Sequence, residues 1–148
     1  MSKKLELKIV TPEKLILDEM VDVVVMPTTE GEVSVLADHV PMIAELASGD
    51  IVAISDGEHI PMAVVGGAIE VKKGDNGHTT VTVLADFAEH VSELSDEAIA
   101  RAKARAEELR KQAENKEIVD LEHFTTELER SLTRVKIADK WRNKKYRI

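Results

Sequence analysis

The stretch that decides the fold runs from residue 79 to residue 113, where the spacing of the apolar residues changes. It reads TTVTVLADFAEH at 79–90 and SDEAIARAKARAEELRKQA at 95–113. In the first part apolar and polar residues alternate, which is typical of a half-buried strand. In the second part apolar residues recur every three or four positions, which is typical of one helix face. The sequence therefore predicts a change from strand to helix near residues 87–94.

Residues before that change are typical of short strands separated by turns. Seven runs are rich in β-branched residues or alternate between apolar and polar ones: Leu5–Ile9, Val21–Val25, Glu32–Leu36, Ile51–Ile54, Met62–Val65, Ala68–Val71 and Thr79–Leu84. All seven glycines and all four prolines lie at or before Gly77. Asn76-Gly77 is a strong hairpin signal, because both residues readily adopt positive φ angles. Short strands at this spacing predict a β-sandwich or a flattened barrel.

Residues after the change predict two helices. Ser95 is a suitable N-cap for the first, and Asp96 and Glu97 place negative charge at the positive end of its dipole. Its apolar face consists mainly of alanines: Ala98, Ala102, Ala106, Leu109 and Ala113. A second stripe follows: Leu121, Phe124, Leu128, Leu132, Val135 and Ala138. Asn115 suits the end of the first helix and Asp120 the start of the second, and so short a link predicts an antiparallel hairpin.

The first helix has little apolar surface with which to attach the hairpin. Burial of one methyl group stabilises a fold by only about 0.8 kcal/mol, and the entropy of ordering the chain opposes it. Unless it packs against something larger, we expect the hairpin to be loosely attached and able to change conformation. A hairpin that stays docked permanently fits the sequence equally well.

The composition excludes several classes of site. The chain has no cysteine, which excludes disulfides, thiolate metal sites and cysteine nucleophiles. Aromatic residues make up only 3% of the chain, so we expect no binding of nucleic acid by base stacking. No run approaches the roughly 18 apolar residues that span a bilayer, and the first residues lack the pattern of a signal or transit peptide. We expect a soluble protein that faces the cytoplasm.

Charge is distributed unevenly along the chain. Residues 1–90 carry a net charge of −10, residues 91–129 of −5 and residues 130–148 of +7. A block of like charge at a chain end often marks an interaction segment. The alternative is a solvated basic helix end, which also suits the negative carboxyl end of the helix dipole.

No pattern of catalytic residues stands out. The phosphate loop that ends in Lys-Ser or Lys-Thr is absent, and so is the paired-histidine metal motif. The five histidines, at positions 39, 59, 78, 90 and 123, lack the spacing of metal ligands. Gly66-Gly67 precedes a strand-like run rather than a helix, so a bulge or a close backbone approach explains it better than phosphate binding. We therefore expect neither an enzyme nor a metal site.

Several short segments occur in an order that points to a known family. They are EGEVSVLADHVP at 30–41, SGDI at 48–51, GGAIEV at 66–71, VLAD at 83–86 and, in the second helix, LERSLTRV at 128–135. Together they resemble the epsilon subunit of F-type ATP synthases. The resemblance implies a non-catalytic subunit with an all-β sandwich at residues 1–90. An antiparallel α-helical hairpin at residues 91–148 is implied to follow it.

The resemblance also implies partners. The sandwich would bind the gamma subunit and the polar loops of the membrane rotor ring, in a proton- or sodium-translocating enzyme. Glu32 and His39 occupy positions that in the family lie at the ring-facing edge. For His39, a hydrogen bond that anchors its own loop is an equally weighted alternative. The chain would be a peripheral subunit on the cytoplasmic face of a bacterial inner membrane, in contact with the membrane only through the complex.

The same resemblance implies a role for the basic end of the chain. In the family the hairpin can extend along gamma into the alpha/beta catalytic head, where it resists ATP hydrolysis and meets an acidic loop. We predict that five cations make this contact: Arg130, Arg134, Lys136, Lys140 and Arg142. Exposed ion pairs contribute only about 0.2–1 kcal/mol each, so several are needed and salt weakens them.

Two departures from the family pattern bear on the site. Members that bind regulatory ATP carry Ile/Leu-Asp-x-x-Arg-Ala at the start of the first helix, whereas here Arg101 follows Asp96 by five residues rather than three. The two side chains then lie on different helix faces, so support for ATP at this pair is weak and we expect no cofactor. Ala37-Asp38 stands where the family often has Pro-Gly, which predicts a change of loop shape before His39.

Two other functions are alternatives, an adaptor and, with the least support from the sequence, a small enzyme. A free-standing adaptor, made of a β-sandwich recognition module with a helical arm, would be a compact monomer without affinity for gamma. A small enzyme would require a ligand-sized pocket with converging titratable side chains.

Overall fold

The structure, a computed structural model, describes residues 3–75, 77–93, 95–115 and 121–142, with the side chain of Arg142 left out. Eight strands come first: β1 (Leu5–Val10), β2 (Leu15–Val21), β3 (Val23–Thr28), β4 (Gly31–Leu36), β5 (Met42–Leu46), β6 (Gly49–Ser55), β7 (Glu58–Lys73) and β8 (Thr79–His90). A short 3-10 turn at Val91–Glu93 leads to helices α1 (Asp96–Glu114) and α2 (Leu121–Arg142). Neither helix, over its described residues, is long and apolar enough to cross a membrane. The β-sandwich followed by a helical hairpin agrees with the predicted fold class.

The eight strands enclose one aliphatic core. Hydrogen-bonded neighbours follow the order β2-β1-β8-β7-β5-β3-β4, and β6 pairs with both β3 and β7. Pairing is antiparallel throughout, except that β1 and β8 are parallel. Alternate residues of each strand fill the core, as Leu5, Leu7 and Ile9 of β1 do. Since the chain has few aromatic residues, branched aliphatic side chains and methionines supply this packing.

Strand β7 changes its inward face halfway along. Met62 and Val64 belong to the core before Gly66-Gly67, whereas Ile69 and Val71 do so after it. Even-numbered residues thus give way to odd-numbered ones, and the two glycines allow this with φ angles of +59° and +129° that other residues rarely adopt. A Cβ on the second glycine would collide with the backbone of β8. The predicted close backbone approach is present, although it lies inside a strand rather than ahead of one.

The strands differ from the prediction in three ways. The structure adds β2 and β5, it joins the runs Met62–Val65 and Ala68–Val71 into β7, and it divides Val21–Val25 between two strands. The two missed strands expose large apolar residues on their outer faces, which hides the alternation. Leu15 of β2 is 55% exposed and Ile43 of β5 is 80% exposed.

Helix α1 begins and ends at the predicted caps. The Ser95 hydroxyl accepts a hydrogen bond from the Ala98 backbone N–H at 3.1 Å, and Asn115 caps the carboxyl end. Two further predictions, a cap at Asp120 and a turn at Asn76, fall outside the described residues. The hairpin between β7 and β8 is nevertheless present, because the two strands pair as far as Lys73 and Thr79, on either side of the turn.

A second apolar core lies between the helices and the sandwich. It contains Val52 of β6, Ala63 of β7, Val91, Ile99 of α1, and Ile137, Ala138 and Trp141 of α2. The predicted stripe on α2 is wrong in part, since Leu121 and Leu132 are exposed while Ile137 and Trp141 are buried. The prediction assumed a single buried face. Helix α2 instead packs against both α1 and the sandwich, and its buried positions lie toward its carboxyl end.

Candidate functional site: the docking seam and the outer row

Three residues on adjacent strands form the sheet side of a contact with α2. Asp50 of β6 pairs with Ala63 of β7, which pairs in turn with Glu89 of β8. Residues paired in this way share one face of a sheet, so two carboxylates flank a fully buried alanine. The small alanine leaves room for a helix between them. The docking seam consists of this row together with Phe87 of β8 and Arg130, Arg134, Lys140 and Trp141 of α2.

In the half of the seam nearer the amino end of α2, two arginines of the helix contact strand β8. Arg134 Nε donates a hydrogen bond to Glu89 Oε2 at 2.9 Å. The guanidinium carbons of Arg130 and Arg134 lie 5.2 and 4.9 Å from the centroid of the Phe87 ring, within the range of cation–π attraction. Each such contact is worth about 0.5–1 kcal/mol at an exposed site. Together these contacts hold α2 against β8.

The other half of the seam is anchored by one carboxylate. Asp50 Oδ2 accepts hydrogen bonds from Lys140 Nζ at 2.7 Å and from Trp141 Nε1 at 2.8 Å. The Asp50 side chain is only 14% exposed, so both bonds are partly shielded from water. The Trp141 ring is buried in the second core, with the His59 ring at a centroid distance of 6.4 Å. Hydrogen bonds to a charged partner are among the stronger ones in proteins, which makes Asp50 the main polar anchor of this end of α2.

A cleft of about 400 Å³ lies beside the two arginines of the seam. Its lining includes three cations, Lys14, Arg130 and Arg134, and four carboxylates, Glu13, Asp86, Glu89 and Glu93. Carboxylates therefore outnumber cations by one in this lining. Arg130 Nε is buried and has no hydrogen-bond partner among the described residues.

An ion pair joins the two helices to each other. Arg105 Nε and Nη2 donate to the two carboxylate oxygens of Glu127 at 2.5 and 3.0 Å. The hydrogen bond from Arg105 lowers the pKa of Glu127 below its usual value. A bidentate pair of this kind fixes orientation as well as charge. The hairpin therefore has a polar link of its own that does not depend on the docking seam.

Glu32 and His39 lie toward opposite ends of the edge strand β4. Glu32 is exposed near the start of the strand, and His39 follows its end, with Nδ1 2.7 Å from the carbonyl oxygen of the next residue. Before it, Asp38 has a φ of +67°, a conformation that glycine adopts readily. Lys3 and Lys73 lie 3.1 and 3.8 Å from the Asp38 carboxylate, and the Lys3 hydrogen bond is the main cause of its lowered pKa. These contacts fix the loop that carries His39.

Three of the five cations predicted to contact the catalytic head lie in the docking seam, namely Arg130, Arg134 and Lys140. Lys136 is exposed on α2. The side chain of Arg142 and residues 143–148 fall outside the described residues. Much of the described basic segment is therefore engaged with the sandwich.

The two residues considered for nucleotide binding point in different directions. Asp96 begins α1, and Arg101 is exposed on the following turn. Five residues of an α-helix correspond to about 140° of rotation, so the two side chains do not share a face. Across the described residues, no group of three or more histidine, aspartate and glutamate side chains could hold a metal ion.

Sequence reasoning missed a row of apolar residues on the outer face of the sheet. Cross-strand pairing aligns Leu15 of β2, Val10 of β1, Leu84 of β8 and Ala68 of β7, and we call these four residues the outer row. Leu15 and Leu84 are more than half exposed. The register of four strands brings the row together, and alternation within a strand does not reveal which face stays uncovered. The outer row is therefore a candidate surface for binding another protein.

Comparisons with known proteins agree with this architecture. Residues 4–91 match the family described as ATP synthase, Delta/Epsilon chain, beta-sandwich domain. The chain is 38% identical over 141 residues to the ATP synthase epsilon chain of Syntrophobacter fumaroxidans, which covers 95% of this chain and 99% of that one. It is 40% identical over 137 residues to the ATP synthase epsilon chain of Nitratidesulfovibrio vulgaris strain DP4, which covers 93% and 97%. A chain of the Euglena gracilis mitochondrial ATP synthase has the same fold, with a TM-score of 0.66 and 24% identity over 95% of this chain and 82% of that one.

Proposed function

Because the chain belongs to the family of ATP synthase epsilon chains, non-catalytic subunits of the central stalk, we propose that it couples the rotor ring to gamma and restrains ATP hydrolysis through α1 and α2. One observation carries the proposal. The sandwich leaves the outer row uncovered, while the hairpin is held elsewhere by a small core and a few polar contacts. A lasting partner can therefore bind the sandwich while the hairpin moves.

Gamma is proposed to dock on the outer row. Burial of apolar surface drives most protein association, and full burial of a leucine is worth about 1.5–3 kcal/mol. Leu15 and Leu84, each more than half exposed, therefore offer apolar area for the centre of such a contact. The polar loops of the rotor ring are proposed to meet the edge strand β4 near Glu32, whose carboxylate is exposed, and the loop of His39.

Inhibition is proposed to involve the basic side of α2. When the hairpin leaves the sandwich, Arg130, Arg134 and Lys140 lose their partners in the seam and become free to meet acidic groups. Lys136 and Arg142 extend the same basic segment. The proposed target is the acidic surface of the alpha/beta catalytic head.

The proposed location is the cytoplasmic face of the bacterial inner membrane, with contact to the membrane only through the ring. The proposed function requires no cofactor. Regulatory ATP gains no support from Asp96 and Arg101, because their side chains diverge on α1.

The test is ATP hydrolysis by a cognate alpha–beta–gamma complex, titrated with the full-length chain and with a chain that ends at His90. We expect both chains to bind the complex and the full-length chain alone to inhibit strongly. Binding of both without inhibition would retain the stalk role and remove the regulatory one.

A substitution in the outer row tests where gamma docks. Leu84→Glu is expected to weaken binding to gamma at least tenfold, because a charge would have to be buried in an apolar contact. Leu36→Glu is the matched control, since this leucine is similarly exposed on the sandwich but lies on β4, at the other end of the strand order from the outer row. Equal binding by both variants would place the gamma contact elsewhere.

A further inference from the structure

The spacing of charges across the docking seam matches on its two sides. Asp50 and Glu89 are two strands apart, which corresponds to about 9.5 Å. Arg134 and Lys140 are six residues apart on α2, which corresponds to roughly 9 Å along the helix axis and about 120° around it, and both long side chains reach the sheet. Each cation contacts one of the two carboxylates, and Ala63 lies between them under the helix. The seam therefore contains two ion pairs, one on each side of Ala63, and the sheet fixes the separation of the two carboxylates.

We propose that Asp50 and Glu89 form a latch that holds the hairpin on the sandwich by occupying the same cations that inhibition requires. The inference rests on the proposed function, because it assigns Arg134 and Lys140 two mutually exclusive sets of acidic partners. Docking and inhibition then compete for one pair of charges. The strength of the latch sets how much of the chain is available to inhibit.

The two ends of the latch differ in what they hold. Glu89 holds a cation that also stacks on Phe87, so loss of its charge leaves Arg134 with a remaining contact. Asp50 holds Lys140 and also accepts the buried indole N–H of Trp141, so loss of both acceptor oxygens would leave that N–H without this bond. Asp50→Asn removes the charge and keeps an acceptor, whereas Asp50→Ala removes both. We expect release of the hairpin to increase from wild type through Asp50→Asn to Asp50→Ala.

The single tryptophan of the chain makes the latch measurable in the isolated protein. Trp141 is buried in the docked hairpin and becomes accessible to acrylamide when the hairpin leaves. Glu89→Gln is the decisive variant, because Glu89 bonds Arg134 at the other end of the seam, whereas the indole N–H bonds Asp50. We expect it to shift the equilibrium between docked and released hairpin on the order of tenfold toward release. Added salt should act in the same direction.

Glu70→Gln is the matched control. Like Glu89, Glu70 points away from the core of the sandwich and forms an ion pair, with Lys72 at 3.6 Å. It lies outside the seam. Its quenching should equal that of wild type. Unchanged quenching in Glu89→Gln, or an equal rise in Glu70→Gln, would overturn the latch.

Hydrolysis assays test the competition. In a complex that the wild-type chain inhibits, Glu89→Gln should inhibit at a several-fold lower concentration, and Arg134→Gln should inhibit less although its hairpin is also released. Greater quenching of Glu89→Gln with unchanged inhibition would show that the cations are not shared, and would overturn the proposal. If the wild-type chain binds but does not inhibit, the proposed function fails at its regulatory step, and the quenching data still decide whether the latch exists.

Discussion

Gly67 lies so close to Leu84 that a Cβ on the glycine would come within 1.9 Å of the Leu84 carbonyl oxygen. This contact lies where β7 changes its inward face. The same residue has a φ of +129°, so both its backbone conformation and its surroundings favour glycine.

We predict that Gly67→Ala destabilises the protein severely. The backbone conformation alone costs about 1–3 kcal/mol for a residue with a side chain, and the displaced β8 backbone adds overpacking. Gly31→Ala is the matched control, because Gly31 has a φ of +120° and no atom within 4 Å of the added carbon. Urea unfolding should show a larger loss for Gly67→Ala, and equal losses would mean that the close approach contributes nothing.

The buried Ala63 predicts that the seam tolerates only a small side chain. Ala63→Leu should cost about 1–3 kcal/mol through overpacking, and it should expose Trp141 by lifting α2. Ala68→Leu on the same strand should change stability by less than about 0.5 kcal/mol, because that residue is exposed. The measurements are urea unfolding and tryptophan quenching. Similar effects of the two substitutions would contradict the docked position of α2.

The Ser95 cap predicts a local effect on α1. Ser95→Ala should lower stability by about 1 kcal/mol, because the Ala98 N–H loses its hydrogen-bond acceptor. Ser92→Ala, in the exposed 3-10 turn just before, is the control and should be close to neutral. Thermal unfolding followed by helical circular dichroism measures both. A neutral Ser95→Ala would show that water replaces the cap without cost.

The Arg105–Glu127 pair predicts a dependence on pH. The folded-state pKa of Glu127 is lowered, so the contribution of Glu127 to stability is present above its unfolded pKa of roughly 4.3. It is lost as the pH falls through the lower folded value. The difference in unfolding free energy between wild type and Glu127→Gln should therefore shrink on acidification from pH 6 to pH 3. A difference that stays constant over this range would show that the charge of the pair is not stabilising.

Local patterns in the sequence predicted much of the fold. The alternation in Leu5–Ile9 and Thr79–Leu84 identified two strands, and the positions of Ser95 and Asn115 identified the ends of α1. Strand β5 was not predicted, because Ile43 is apolar and exposed. The sequence of this strand therefore does not separate an inner face from an outer one.

The docking seam could not be predicted in the same way. The contact between Asp50 and Trp141 joins residues 91 positions apart, and it depends on the register of β6, β7 and β8 as well as on the rotation of α2. The charge pattern predicts an interaction segment at the basic end of the chain. Nothing in the charge pattern indicated that Asp50 and Glu89 would hold part of it.

The face that α2 covers also has a consequence for biosynthesis. Val52 and Ala63 belong to the sandwich, whose synthesis ends with β8. Ile137 and Trp141 of α2, which cover them, emerge from the ribosome on the order of several seconds later. During that interval a folded sandwich would carry an uncovered apolar strip. Asp50 and Glu89 are directly aligned with Ala63 on either side, and charges placed beside an apolar segment act as gatekeepers against aggregation. Two carboxylates thus border this strip before the helices that cover it have been made.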